Sequence, residues 1–373
     1  MFVFVCAGCD ADLTAPLSHV ALPVHAHQRY GNGAQLPVLM DPGTFAVEPE
    51  PWGPPWRRWA EIDPGEAQAR GIYAPVHALS DNAPGAVVIA PGEAHGTVLI
   101  PENRGSSSCC GLDGAGGPNM GCAACGRPVA TRIDDCSLWQ AVWLDPVAVR
   151  RVPAGGGEAP PLTWPELMEA REATPPFESI DPWGCGPGTV KWWSSWSPAW
   201  EAAAGRALAH LLVASDGQPV SVPDGLTAEV FQDALDALLP AGPPARQAVL
   251  AGPGLPAPDT TAGILLVPTH PQSGQTWTPD APATSAYRVP LPFGVWRSLA
   301  FPEPDPTTTT TTSRIPAGML PDDYPALPPR CHHPFRVDSG TFLNTLARLP
   351  AVRTPWLREI ANNLTRNTPA GIF

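Results

Sequence analysis

Apolar positions fall in two patterns along the chain. Up to about residue 152 the runs are short and close on turn residues, as in Phe2–Val5, Ser18–Val24, Gly85–Ala90, Gly96–Ile100 and Ser137–Leu144. Runs of that length, punctuated by Pro, Gly and Asp, predict β-strands. The run at Phe2–Val5, the residues Asp12-Leu-Thr-Ala-Pro16 and the alternating run at Ser18–Val24 predict strand, tight turn, strand, with Cys6 and Cys9 in the turn.

Beyond residue 196 the period lengthens. Ser197-Pro198 suits a helix start, and the apolar stretch to about Ala214 closes at Asp216-Gly217. Gln218–Val222 reads as a short strand. Thr227 is expected to cap a second helix whose Val230, Phe231, Ala234, Leu235, Leu238 and Leu239 share one face before Pro240. Ala248–Ala251 and Ile264–Val267 are continuous apolar runs, the mark of strands buried on both sides. Helices alternating with such strands predict an α/β half. Residues 341–367 predict two terminal helices, the second capped by Thr354, opened by Pro355 and striped by Trp356, Leu357, Ile360 and Leu364. Residues 153–196 read as a bridge with one short helix, whose Thr163, Pro165 and Glu166 form a capping-box pattern. The tract Thr307–Thr312 is expected in an exposed loop.

Composition sharpens this picture. The 373 residues include 51 Pro and 35 Gly, yet 43% hydrophobic content keeps the expectation globular. The net charge of −13 opposes phosphate backbones and anionic lipid alike. Residues 1–152 carry 15 acids and 9 bases, 153–329 carry 18 and 7, and 330–373 carry 2 and 6, so the tail is expected to dock on the acidic middle. No apolar run approaches bilayer length, and the opening Met1–Ala7 has no basic residue before Arg29, so neither membrane nor secretory leader is expected and the location is read as cytoplasmic.

Nine cysteines in a reducing compartment point to metal rather than disulfides. Two pairs stand at two-residue gaps, Cys6-Ala-Gly-Cys9 and Cys122-Ala-Ala-Cys125. Such a gap lets both thiolates of a turn face one ion, and two turns complete a tetrahedral sulfur site suited to zinc. The pattern resembles the paired knuckles of zinc-ribbon proteins. That resemblance implies Cys6, Cys9, Cys122 and Cys125 as ligands of a structural Zn2+, with the 112 residues between the turns as a long insertion. The fold class expected is therefore α+β: a mostly-β N-terminal half stapled by the four-cysteine site, then an α/β half. The expected units are residues 1–29 with 106–152 as a split ribbon-like β domain, 30–105 as a β-rich insertion, 153–196 as a Pro/Gly/Trp-rich bridge, and 197–373 as an α/β domain with C-terminal helices.

A rival ligand set is Cys110, Cys122, Cys125 and Cys136, and Cys109 or Cys110 with His25 and His27 is a candidate second metal site. Redox catalysis by a CxxC needs a helix N-terminus behind it, which neither motif opens. Ala251-Gly-Pro-Gly254 is a weak anion-loop candidate. A zinc closed by four thiolates has no open position, so a binding or scaffolding role, with a protein partner, is the leading expectation. The alternative is an enzyme using Asp224, His270 or His332 and His333 in the C-terminal half or the crevice between the halves. A nucleic-acid-binding ribbon is the third reading, opposed by the acidic charge; no duplex binding is expected. Trp183, Trp192, Trp193, Trp196 and Trp200 form a cluster read as core between the two halves rather than as a binding surface.

Overall fold

The computed structural model of the chain describes residues 1–30, 36–103, 111–155, 160–179, 194–258, 263–279, 286–302 and 333–367. The N-terminal half contains β1 (Phe2–Cys6), β2 (Ser18–His19), β3 (Thr44–Val47), β4 (Trp56–Arg58), α1 (Pro64–Ala69), β5 (Ala78–Ser80), β6 (Val87–Ile89), β7 (Thr97–Leu99), β8 (Met120–Cys122), β9 (Pro128–Ile133), β10 (Ala141–Leu144) and β11 (Val149–Pro153). Seven of these strands form one sheet in the order β2-β3-β6-β10-β9-β8-β7, while β1 pairs antiparallel with β11.

Strands of the residue 30–105 segment thus sit inside the same sheet as those on either side of it. The central strands bury both faces: Val87, Ile89, Val142 and Leu144 join Phe4, Leu13 and Leu17 on one side, and Val88, Ala141 and Trp143 join Leu36 and Trp139 on the other. Successive side chains point to opposite faces, so a strand covered on both sides reads as an unbroken apolar run, as the sequence shows at Gly85–Ala90. The middle of that segment goes elsewhere. Ile62, Ala67, Ile72, Ala74 and Leu79 are buried against residues of the C-terminal half.

After α2 (Trp164–Ala170), β12 (Phe177–Ser179) and β13 (Ser194–Trp196), the C-terminal half comprises α3 (Pro198–Ser215), β14 (Val220–Ser221), α4 (Leu226–Leu238), β15 (Arg246–Leu250), β16 (Ile264–Thr269), β17 (Tyr287–Pro292), α5 (Phe293–Ala300), α6 (Ser339–Arg348) and α7 (Pro355–Asn367). Strands β14 to β17 pair in parallel and in sequence order. The chain therefore combines helices and sheets, as α+β requires.

Helix α3 is apolar nearly all round and lies at the centre of this half, with Trp200, Leu208, Leu211 and Leu212 buried. Its Gly205 permits α6 to approach, since a Cβ there would meet the Asp338 carbonyl oxygen at 2.6 Å. Helix α4 starts one residue before Thr227, with Gly225 as N-cap, because Thr227 is itself buried and not free to cap. The capping box at Thr163 and Glu166 forms as expected.

The tail packs back, with Phe342, Leu346, Val352 and Leu357 in the core of the C-terminal half. Its basic groups divide: the Arg336 charge acts on Glu201 of the acidic middle, while others reach the N-terminal half. Arg348 forms an ion pair with Glu50, the Arg358 guanidinium donates to the Tyr73 carbonyl, and Arg353 lies 4.5 Å from the centre of the Tyr73 ring. Of the tryptophan cluster, Trp196 and Trp200 are buried, their indole N–H groups donating to the carbonyls of His333 and Thr174 at 2.9 Å. Trp183, Trp192, Trp193 and the threonine tract lie outside the described residues. Among the described residues, no helix is long and apolar enough to cross a membrane.

Candidate metal centre

The two CxxC turns have one local design. Cys6 ends β1 and Cys122 ends β8, and each chain then folds into a turn held by its own backbone. The Cys6 N–H donates to Ala11 O at 2.9 Å and its carbonyl accepts from Asp10 N at 2.9 Å; the Cys122 N–H donates to Arg127 O and its carbonyl accepts from Gly126 N, both at 2.8 Å. The residue after the second cysteine takes a left-handed conformation in each, Asp10 at φ 60° and Gly126 at φ 74°. Glycine adopts that region freely, and Asp is among the few side chains that tolerate it.

Between the turns runs the segment before β7. Gly96 donates its N–H to Leu13 O at 3.0 Å, and its carbonyl accepts from Ala123 N at 2.9 Å, so a single residue joins the chain leaving the first turn to the second turn. Ala7 N is in turn tied to Ala148 O at 2.9 Å, anchoring the first turn to the approach to β11.

This frame brings the Sγ atoms of Cys6, Cys9, Cys122 and Cys125 within 4.8 Å of one another. The shortest separations cross between turns, Cys6 to Cys125 and Cys9 to Cys122, both 3.7 Å. An ion bound tetrahedrally by sulfur at about 2.3 Å has sulfurs about 3.8 Å apart, so these are coordination distances, whereas a disulfide needs about 2.05 Å. Cys6 and Cys122 are fully buried while Cys9 and Cys125 are exposed. One thiol of each turn is thus locked in the core and the other closes the site from outside.

Backbone dipoles favour thiolate here. The Gly8 N–H points at Cys6 Sγ at 3.4 Å. Burial pushes the Cys122 thiol up, but the amides of Cys125 and Ala124 and the neighbouring Cys9 sulfur outweigh it and bring it down to about 7. At Cys9 the Ala11 amide pulls down, yet the sulfurs of Cys125, Cys122 and Cys6, together with burial, drive it up to about 12. The raised Cys9 follows from its crowding, since four sulfurs this close do not all ionise unless a cation offsets their charge. Arg127 reaches across from the second turn, its Cδ 3.3 Å from where a Cβ on Gly8 would stand.

The rival sets fare differently. Cys136 is buried but outside the four-sulfur cluster, and Cys109 and Cys110 lie outside the described residues, as do Cys185 and Cys331. The His25 ring lies tilted against Trp139 at 4.3 Å between centroids, burial lowering it to about 4, and His27 stacks on Trp143 and pairs with Glu48. Both histidines rest against tryptophans of the N-terminal core, Trp139 and Trp143.

The residues proposed for catalysis are not gathered. His270 is buried, its Nε2 donating to Leu162 O at 2.7 Å and its Nδ1 accepting from Gln272 N and Ser273 N at 3.1 and 3.2 Å. Both ring nitrogens are spent on backbone, which makes this histidine a clamp on its own turn. Asp224 is exposed at the start of α4, His333 follows a different segment, and His332 lies outside the described residues. Ala251-Gly-Pro-Gly254 offers no anion cradle, because the Trp296 indole donates to Ala251 O at 3.1 Å and fills the space over Gly252. The polar groups that do line a cleft, Arg206 and His210 with Tyr287 and Arg288, went unnoticed in the sequence. Their signal was present: Arg206 and His210 stand four apart in the largely apolar α3.

Comparison of the chain with known protein families, with curated proteins and with solved structures gives no match.

Proposed function

We propose that Cys6, Cys9, Cys122 and Cys125 hold one structural Zn2+, and that the protein is a zinc-stapled binding or scaffolding protein. The observation carrying this reading is the meeting of two like-built turns at sulfur separations of 3.7 Å across 113 and 119 residues of chain. Four thiolates fill a tetrahedral zinc, leaving no position for a substrate. The ion ties β1 to the β8–β9 hairpin, two elements that belong to different sheets. Support for a non-catalytic role comes from His270, whose ring is committed to backbone.

The same reading leaves duplex DNA unbound. Two arginines beside the turns are already engaged, Arg150 with Asp10 and Arg132 with Asp134.

Hydrogen exchange before and after stripping the protein with a strong zinc chelator tests the structural role. Protection at residues 2–6 and 120–128 should fall sharply, because the ion's binding energy is folding energy for the elements it joins. Unchanged protection after complete zinc removal would overturn the staple.

A further inference from the structure

Helix α3, mostly apolar on its buried surface, carries Arg206 and His210 one turn apart on one face. They look onto the N-terminal end of β17, the last strand in the order of the parallel sheet. There they line a cleft of about 370 Å³ together with Tyr287, Arg288, Thr276 and Thr278. That volume falls within the roughly 300 to 1,000 Å³ of small-molecule sites. Among the described residues no carboxylate lines the cleft. The His210 Nδ1 and the Tyr287 hydroxyl share a hydrogen bond of 3.1 Å, which orients both rings at its wall.

Among the described residues Arg206 has no acidic partner, a costly placement for a guanidinium held against a largely apolar helix and one out of keeping with a net charge of −13. Burial pulls Arg206 below its ordinary range, and burial followed by the Arg206 charge lowers His210 to about 4. Both directions follow from burial and from the Arg206 charge beside His210.

We infer that this cleft binds a small phosphorylated molecule through its phosphate, with Arg206 and Arg288 as the charged contacts and the hydroxyls of Tyr287, Thr276 and Thr278 as further donors. Two guanidinium groups match the two negative charges of a phosphate monoester, and five donor side chains exceed what the two oxygens of a carboxylate accept. The site is independent of the metal centre, which is built wholly from the N-terminal half.

Isothermal titration of the full-length, metal-loaded protein with inorganic phosphate, and separately with acetate at equal ionic strength, tests this. One saturable phosphate site is expected, with acetate at least about 10-fold weaker. Arg206→Gln and Arg288→Gln should each weaken phosphate by roughly 10- to 100-fold, the worth of a charged hydrogen-bonded contact. Arg288 is exposed, so its variant keeps the fold even where Arg206→Gln does not. Absence of saturable binding, or unchanged phosphate affinity in Arg288→Gln, would overturn the site. Acetate binding as tightly as phosphate would overturn the phosphate assignment.

Discussion

Gly96 lies so close to Asp12 that a Cβ on the glycine would stand 1.9 Å from the Asp12 carbonyl oxygen. The contact lets one backbone segment hydrogen-bond to the chain leaving the first cysteine turn and to the second turn. Gly96→Ala should therefore cost at least about 1 to 3 kcal/mol by overpacking and lower zinc retention with it. Gly92→Ala, four residues earlier and with nothing within 4 Å, is the control and should be near neutral. Thermal denaturation of the two variants checks the pair; equal, small shifts would mean that the two turns are not joined through Gly96.

Gly126 and Asp10 occupy matching left-handed positions, and at Gly126 nothing lies within 4 Å of where a Cβ would stand. Gly126→Ala should lose about 1 to 2 kcal/mol through conformation alone. Asp10→Gly relieves the same strain in the first turn and loses only an exposed pair with Arg150, so its net effect should be under about 1 kcal/mol. Urea denaturation of both variants gives the comparison, and a neutral Gly126→Ala would contradict the left-handed geometry.

Glu201 on α3 has its carboxyl raised from 4.5 to about 8, chiefly by burial and then by the Asp338 charge, with Arg336 acting the other way. The folded protein holds this proton while the unfolded chain releases it near 4.5, so the contribution is complete below that pH and is lost as pH rises through about 8. Glu201→Gln should therefore melt closer to wild type at about pH 5 and gain on it at about pH 8. Calorimetry at the two values decides it; a constant offset would show the carboxylate ionised in the fold.

Leu357 is 1% exposed, whereas Arg348 and its partner Glu50 both reach solvent. Leu357→Ala in α7 should cost about 2 to 5 kcal/mol and Arg348→Ala at the end of α6 roughly 0 to 1, since packing and not charge holds the tail. Chemical denaturation that ranked the two variants the other way would show that charge anchors the tail.

The cysteine pairs were legible because a two-residue gap is a local signal that survives any length of chain between the turns. What the sequence hid was the sheet those turns hang on. Ala46 pairs with Val88 and Val88 with Trp143, across 42 and 55 residues of chain, and no periodicity records such pairings. The reach of Ile62–Leu79 onto the C-terminal core was invisible for the same reason. Strand β17 escaped because Pro290 and Pro292 mark it as a non-strand, although proline is tolerated where a strand lies at an edge. Terminal helix α7 was readable from Thr354, Pro355 and its apolar stripe, yet the Arg348 contact with Glu50 was not, because summed charge names a sign and not an address.

Zinc-edge X-ray absorption on the purified protein, paired with elemental analysis, bears most directly on the four-thiolate centre. The result predicted is one zinc per chain surrounded by four sulfurs at about 2.3 Å, with the metal lost equally from Cys9→Ser and Cys122→Ser. A stably folded protein without metal, or a first shell containing nitrogen or oxygen in place of one of the four sulfurs, would contradict it.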